Sequence, residues 1–293
     1  MKKLHFSLLL LLLLSFSASV LAESVPCSYT FSGQEVRAYS SDSLKISMEQ
    51  FTYENVRCYI TKVWMLSPGE QIHKSTATWE KDLAYPSEMA KWLDVTPILV
   101  VNGSGYVSPM FPQIPADYPG RGPDYYYTPL GSLTITNGKV FRNLEDVPFY
   151  GLTLQKDGLH MHVGESTSDV LAQEPSQTWS FYDRCPLIQN SESILDTTWK
   201  FANEKAVRTI IGKMDANNYF LLTVTNKGGR GLTLVECVDF LCTELHPLWA
   251  YDLDGGPSSA LLMRTDKARS LKTIFGNNSK DTDIMAFAEL SAE

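Results

Sequence analysis

The residues of this chain best suited to chemistry are a pair of carboxylates, the second set beside two glycines, and a guanidinium. Asp252-Leu253-Asp254-Gly255-Gly256-Pro257-Ser258-Ser259 follows Leu248-Trp249-Ala250-Tyr251, an apolar run that reads as a buried strand. A strand ending this way fixes the Asp254 carboxylate. Gly255 and Gly256, lacking Cβ, let the backbone turn sharply and let a ligand approach main-chain N–H groups. Ser258 and Ser259 add hydroxyls, so the segment can hold a phosphate; it also fits an ordinary Asp-Gly turn. Arg208 begins another strand-like run. Residues 205–230 carry Lys205, Arg208, Lys213, Lys227 and Arg230 against one acid, Asp215. A forked guanidinium matches a pair of phosphate oxygens, while a basic strand edge also guards against aggregation. Asn102 closes the buried run Ile98-Leu99-Val100-Val101 ahead of Gly103-Ser104-Gly105, placed either to donate to a sugar hydroxyl or to begin a turn.

Three further constellations carry less. Thr233-Leu234-Val235-Glu236 matches a capping box, which is a structural reason for Glu236 as good as a catalytic one. His160 and His162 share a strand face, two apart as metal ligands can be, but a pair without a third ligand reads better as solvent-facing. Ser258 sits in Gly256-Pro257-Ser258-Ser259-Ala260, which lacks the last glycine of a hydrolase nucleophile elbow and leads into a strand rather than a helix.

Around these residues the text is mostly strand. Tyr59 to Leu66 ends at Ser67-Pro68-Gly69. Leu133 to Val140 turns at Asn137-Gly138, and Leu152 to Val163 turns at Asp157-Gly158. Val207–Met214 and Tyr219–Thr225 form a further hairpin, and Ala260 to Met263 is a strand. Helices are expected at 88–93 and from Leu234 to Leu245. The fold class is therefore α+β, a mixed, largely antiparallel sheet with a few packed helices. A proline-rich stretch, 108–130, holding Tyr125-Tyr126-Tyr127, reads either as an aromatic binding loop or as a stiffened surface loop.

Composition bounds the rest. With 293 residues, 44% hydrophobic and 20% charged, the chain is too apolar to be disordered and too long for a disulfide miniprotein. A net charge of −8 argues against general nucleic-acid binding, so an anionic ligand needs a local basic cluster. Lys2 and Lys3, a leucine-rich run and Val20-Leu21-Ala22 read as a cleaved secretory signal over 1–22, which implies a periplasmic or secreted protein without a membrane span in its mature part. A short extension, 23–58, then precedes a catalytic domain over 59–293. All five cysteines, Cys27, Cys58, Cys185, Cys237 and Cys242, lie in the exported part. Cys27 with Cys58, and Cys185 with Cys237 or Cys242, are candidate bridges whose connectivity the sequence leaves open.

Four blocks, Val100-Val101-Asn102-Gly103-Ser104-Gly105-Tyr106, Arg208-Thr209-Ile210-Ile211-Gly212, Gly231-Leu232-Thr233-Leu234-Val235-Glu236 and Asp252 to Ser259, resemble in order those of the phosphodiester glycosidase family. The chain departs from the family pattern at Asp252, usually Asn, at Pro257, usually small, and at Ser104-Gly105-Tyr106, usually glycine and two aromatics. The resemblance implies hydrolysis of a sugar phosphodiester, of the N-acetylglucosamine-1-phosphodiester type or in a related envelope or exopolysaccharide. It implies a site lined by Asn102, Arg208, Asp254, Gly255, Gly256 and Ser258, with Glu236 nearby.

On this reading Asp254 faces the anomeric carbon or activates water, and Arg208 with the two glycine N–H groups grips phosphate. Asn102 holds a sugar hydroxyl, Arg230 adds charge to substrate binding, and Glu236 is the candidate second carboxylate. A phosphomonoester leaves with little need of protonation, so one acid suffices. No cofactor is required, although calcium would suit oxygens of Asp252, Asp254 and phosphate. The rivals are a non-catalytic exported module binding anionic glycan or envelope polymer, and a serine hydrolase using Ser258.

Overall fold

The computed structural model describes residues 33–77, 83–106, 130–265 and 270–291. The expected leader, Cys27 and residues 108–129 of the proline-rich stretch lie outside these residues. In chain order the described elements begin with strands β1 (Gln34–Ser40), β2 (Leu44–Tyr53) and β3 (Val56–Met65), helix α1 (Pro68–Gln71), β4 (Ile72–Thr76), α2 (Pro86–Met89) and β5 (Pro97–Asn102). Two hairpins follow, β6 (Leu133–Thr136) with β7 (Lys139–Asn143) and β8 (Phe149–Gln155) with β9 (Gly158–Glu165), then α3 (Thr167–Leu171), β10 (Gln177–Ser180), β11 (Pro186–Gln189) and β12 (Glu192–Ser193). The last stretch holds β13 (Arg208–Lys213), β14 (Asn218–Val224), α4 (Leu234–Phe240), β15 (Trp249–Asp252), β16 (Ala260–Met263), β17 (Lys272–Gly276) and β18 (Asp283–Ala288). The fold is α+β and dominated by antiparallel sheet, as the alternating sequence pattern predicts.

Two large sheets make the body. One has eight strands in the order β1-β2-β3-β14-β13-β15-β11-β12, the other five in the order β17-β16-β5-β18-β4. Their facing sides share one apolar core, in which Val63, Ile211, Leu221 and Tyr251 of the first sheet meet Leu99, Val101, Leu261 and Phe287 of the second. The outer face of the eight-stranded sheet is covered by α4, whose Leu234, Cys237, Val238 and Phe240 pack in one cluster with Ile60, Ile210, Phe220 and Leu222. Both faces of that sheet are therefore buried, which is why β14 is nearly continuously apolar instead of alternating. The outer face of the five-stranded sheet is covered by Met89 and Ala90. The helix expected over 88–93 is shorter and begins earlier, at Pro86, passing into a 3-10 turn at Ala90–Trp92.

Residues 34–58 are built into the eight-stranded sheet, and β3 runs across the 58/59 division. The described cysteines Cys58, Cys185, Cys237 and Cys242 are all free thiols. This corrects the expected bridge from Cys185. That residue lies in the core between the sheets, while Cys237, on the buried face of α4, belongs to the other apolar cluster, against which Cys242 packs. Solvent exposure expected for His162 is also corrected. It is 2% exposed, its ring nitrogens 2.8 Å from Thr153 Oγ1 and 2.9 Å from Glu165 Oε2, with the Phe149 ring beside it. Burial lowers its pKa, against the pull of Glu165. His160 instead meets Asp157 at 2.7 Å near the surface. Among the described residues no helix is long and apolar enough to cross a membrane.

A buried ion pair locks the second sheet to its neighbours. Lys74 Nζ lies 3.0 Å from Asp283 Oδ2, with both side chains fully enclosed, and it also donates to the Thr178 carbonyl. Asp283 in turn accepts from the Ser104 amide at 2.6 Å and the Ser104 hydroxyl at 2.9 Å, pinning the loop after β5. A Cβ on Gly103 would stand 2.0 Å from Asp283 Oδ1, so the glycine is required for this approach. Lys74→Met strands the Asp283 charge. It should lower the unfolding free energy by about 3–5 kcal/mol in urea denaturation. A loss within measurement error would show that Asp283 needs no counter-charge.

Candidate active site

The seven residues Leu253–Ser259 carry the chain from β15 in one large sheet to β16 in the other, and the candidate active site is built on this crossing. Asn102, at the end of β5, holds it from behind. Its Nδ2 donates to the Asp254 carbonyl at 2.6 Å. Its Oδ1 accepts from the Ala260 amide at 3.0 Å and the Thr209 hydroxyl at 2.9 Å. The Asp254 amide donates to the Gly103 carbonyl at 3.0 Å. Asn102 is fully buried and does not line the cleft. It therefore positions Asp254 in place of the sugar contact expected of it.

Arg208, first residue of β13, lies beside the end of β15 because Ile210 pairs with Asp252. Its Nη2 donates to the carbonyls of Phe201 and Glu204, each at 2.8 Å, and its Nη1 stands 3.6 Å from Asp252 Oδ2. Asp252 is 1% exposed and neither oxygen has a hydrogen bond. Burial raises its pKa to about 7, with the Asp254 charge adding to the rise and Arg208 opposing it. Asp252 thus faces Arg208, away from the cleft. No group of three His, Cys, Asp or Glu placed for a metal occurs among the described residues.

Asp254 keeps part of its surface open. Burial of the rest raises its carboxyl to about 7. The Ser258 hydroxyl and the Gly255 amide favour the ionised form, and the charge of Asp283 opposes it. Behind it stands Asp281, 1% exposed, neither of whose oxygens makes a well-formed hydrogen bond. Its pKa is raised well above the usual range by burial and by Asp254, with the nearby Ser258 hydroxyl acting the other way. A carboxyl near 7 exchanges its proton at neutral pH, the property wanted of a general acid or base.

Asp254, Gly255, Gly256, Ser258 and Arg208 all line one cleft of about 730 Å³. Lys205 and Arg184 add cationic groups to its wall. Opposite chemistry comes from Tyr182, Trp199 and Phe201, which also line it. Tyr182 lies 5.7 Å from the Trp199 ring and stacks on Phe201 at 6.0 Å. Such a cavity offers charge for a phosphate and a flat apolar surface for a sugar or aglycone.

Other expected site residues stand apart from that role. The Gly255 amide donates to its neighbour's Asp254 Oδ1 at 2.8 Å and the Gly256 amide to the Val207 carbonyl at 2.9 Å, so neither N–H is free to grip a phosphate. Gly256 is there for its left-handed backbone, φ 59°. Glu236 completes the capping box, accepting from the Thr233 amide at 2.8 Å, and pairs with Lys205 at 3.0 Å. These partners lower its pKa against the effect of burial, and it does not line the cleft. Arg230 is exposed and also absent from the lining. No histidine is among the described lining residues of the cleft that Ser258 shares. The aromatic wall and Asp281 escape sequence reasoning, although Phe181-Tyr182 and Trp199-Lys200-Phe201 are visible as clustered rings outside any strand pattern.

A crossing between sheets, with a buried Asn, an Arg and a carboxylate at one cleft, defines a class that sequence comparison identifies. The phosphodiester glycosidase pattern matches residues 95–286, well over half of the chain, and the chain belongs to that family. Among solved structures it is similar to the catalytic domain of zebrafish N-acetylglucosamine-1-phosphodiester alpha-N-acetylglucosaminidase, auto-inhibited by its pro-peptide. The TM-score is 0.61 and the identity 16%, with 88% of each chain covered. A hypothetical protein from Synechocystis is similar over 84% of this chain and 62% of that one, with TM-score 0.52 and 14% identity. No curated protein sequence matches the chain.

Two outcomes follow. Asn102→Ala leaves the Asp254 carbonyl and the Ala260 amide unpaired, and should cost about 1–3 kcal/mol in thermal or urea unfolding; an unchanged midpoint would deny the clamp. For Asp252, a folded pKa of about 7 means that the folded protein still holds a proton which the unfolded chain has released above about pH 4. Its contribution to stability is fully present below that pH and is lost as pH rises through 7. Asp252→Asn and wild type should therefore be closest in stability at pH 4, with the variant gaining on wild type up to pH 8. A constant difference across that range would contradict the assignment.

Proposed function

We propose that the chain is an exported glycosidase that hydrolyses a sugar-phosphodiester bond, of the N-acetylglucosamine-1-phosphodiester type or in an envelope or exopolysaccharide. The observation that carries this reading is the convergence of Arg208 and Asp254, 46 positions apart in sequence, on one cleft with an aromatic wall. Export is supported by the leader-like residues 1–22.

In this arrangement the phosphate lies toward Arg208, Lys205 and Arg184. The guanidinium of Arg208 is held still by the Phe201 and Glu204 carbonyls, so it meets the developing charge without reorganising. The sugar packs on Tyr182 and Phe201. Asp254 faces the anomeric carbon or takes the proton of the attacking water. Its proton exchange near pH 7 suits that task, and the phosphate departs without a second acid. Glu236 serves the helix cap and the Lys205 position rather than the reacting bond.

The alternative is a module that binds anionic glycan through the same cleft without turnover. Incubation of the purified mature protein with UDP-N-acetylglucosamine and simple N-acetylglucosamine-1-phosphodiesters, with released sugar measured, separates the two. Hydrolysis is expected. Asp254→Asn should lose a factor of about 10²–10⁴ in kcat, and Glu236→Gln, which keeps the capping box, should retain turnover. Binding of any of the compounds with release of sugar from none would favour the module, and wild-type turnover by Asp254→Asn would remove Asp254 from the chemistry.

A further inference from the structure

A second cavity, of about 290 Å³, shares no lining residue with the cleft. It lies between the edge strand β4, the segment after α2, the β6–β7 turn and β10. Its volume is at the small end of the range for small-molecule sites, roughly 300–1,000 Å³. Its rim carries Trp92. Trp64, Trp179, Trp199 and Trp249 are buried or half-buried, whereas Trp92 stands 54% exposed, an indole face left in water beside a concave polar surface.

The polar lining selects the kind of ligand. Lys74 reaches this wall, but its ammonium is enclosed and paired with Asp283, so it offers no charge to a guest. Burial lowers the pKa of His73 and keeps its ring neutral. Asp94 supplies a carboxylate at the surface. With no free cation and one carboxylate among the described lining residues, an anion is disfavoured here, in contrast to the cleft beside Arg208. Asn137 and Gln177 are held by each other: the Asn137 amide donates to Gln177 Oε1 at 3.1 Å, and Gln177 Nε2 donates to Asn137 Oδ1 at 2.7 Å. That bracing orients Asn137 Nδ2, which has no protein partner among the described residues. A flat aromatic face beside oriented acceptors and a donor fits a pyranose, which has C–H groups on its faces and hydroxyls around its edge.

We infer that this cavity is a second carbohydrate site, taking one neutral pyranose unit of a polysaccharide with Trp92 against its C–H face and Asp94 and Asn137 on its hydroxyls. It does not rest on the hydrolytic reading of the cleft, because its occupant needs no phosphate and undergoes no reaction.

The test is calorimetric titration of the mature protein with chitotetraose, mannotetraose, maltotetraose and cellotetraose. At least one should bind. Trp92→Ala should weaken it by about tenfold, equivalent to roughly 1.4 kcal/mol, and Asp94→Ala should weaken it too. Both variants should keep the wild-type unfolding midpoint and the wild-type response to glycosyl phosphodiesters. Absence of binding by all four sugars at millimolar concentration would overturn the inference. So would binding that survives both substitutions, or binding that is lost instead on Tyr182→Ala in the cleft.

Discussion

The side chain of Asn102 is the constraint on which the site depends. Three segments far apart in sequence, β5, the start of β13 and the crossing from β15 to β16, must meet at one point, and no apolar contact specifies a point to the accuracy that chemistry needs. A single buried amide does so. It presents one donor to Asp254 and one acceptor to Thr209 and Ala260. The Gly103 carbonyl completes the grip on the Asp254 backbone. Apolar packing between the sheets supplies the free energy, and the polar clamp selects one arrangement among those that packing allows.

Gathering Asp252, Asp254, Asp281 and Asp283 at this end of the molecule is electrostatically costly, and the fold answers each differently. Asp283 is offset by Lys74 and the Ser104 donors. Asp252 has Arg208 at 3.6 Å, close enough to oppose the rise in its pKa without abolishing it. Asp281 is left without a hydrogen bond, and Asp254 alone opens to the cleft. Burial, with the charge of Asp283 added, lifts the Asp254 carboxyl to about 7 against the Ser258 hydroxyl and the Gly255 amide. The same crowding of buried carboxyls keeps this end of the molecule from being an optimum of stability.

Much of this was legible in the chain itself. Asn-Gly and Asp-Gly turns marked the hairpins β6–β7 and β8–β9, and the capping box from Thr233 to Glu236 located α4, because turn and cap chemistry is local. The family resemblance named Arg208 and Asp254 together, and the fold brings both to one cleft. The rest depended on what lies across space. The strand β18, Asp-Ile-Met-Ala-Phe-Ala, starts on a carboxylate and carries two alanines, so its propensity is weak, yet it pairs with both β5 and β4. Asp281 and Asp283 have no motif around them and matter only because they are buried. The glycine N–H groups of Gly255 and Gly256 read as free in sequence and are bonded in the fold. His162 read as exposed, because alternation shows which residues share a face and not whether a second layer covers it.

The most direct measurement of the central claim, that Arg208 and Asp254 act on one ligand in one cleft, is a crystal structure with a C-glycosyl phosphonate that the protein cannot cleave. The account predicts the phosphonate against the Arg208 side of the cleft and the sugar on the aromatic wall, with the anomeric carbon within about 3.5 Å of the Asp254 carboxylate. A phosphonate bound away from Arg208, or an anomeric carbon out of reach of Asp254, would contradict it.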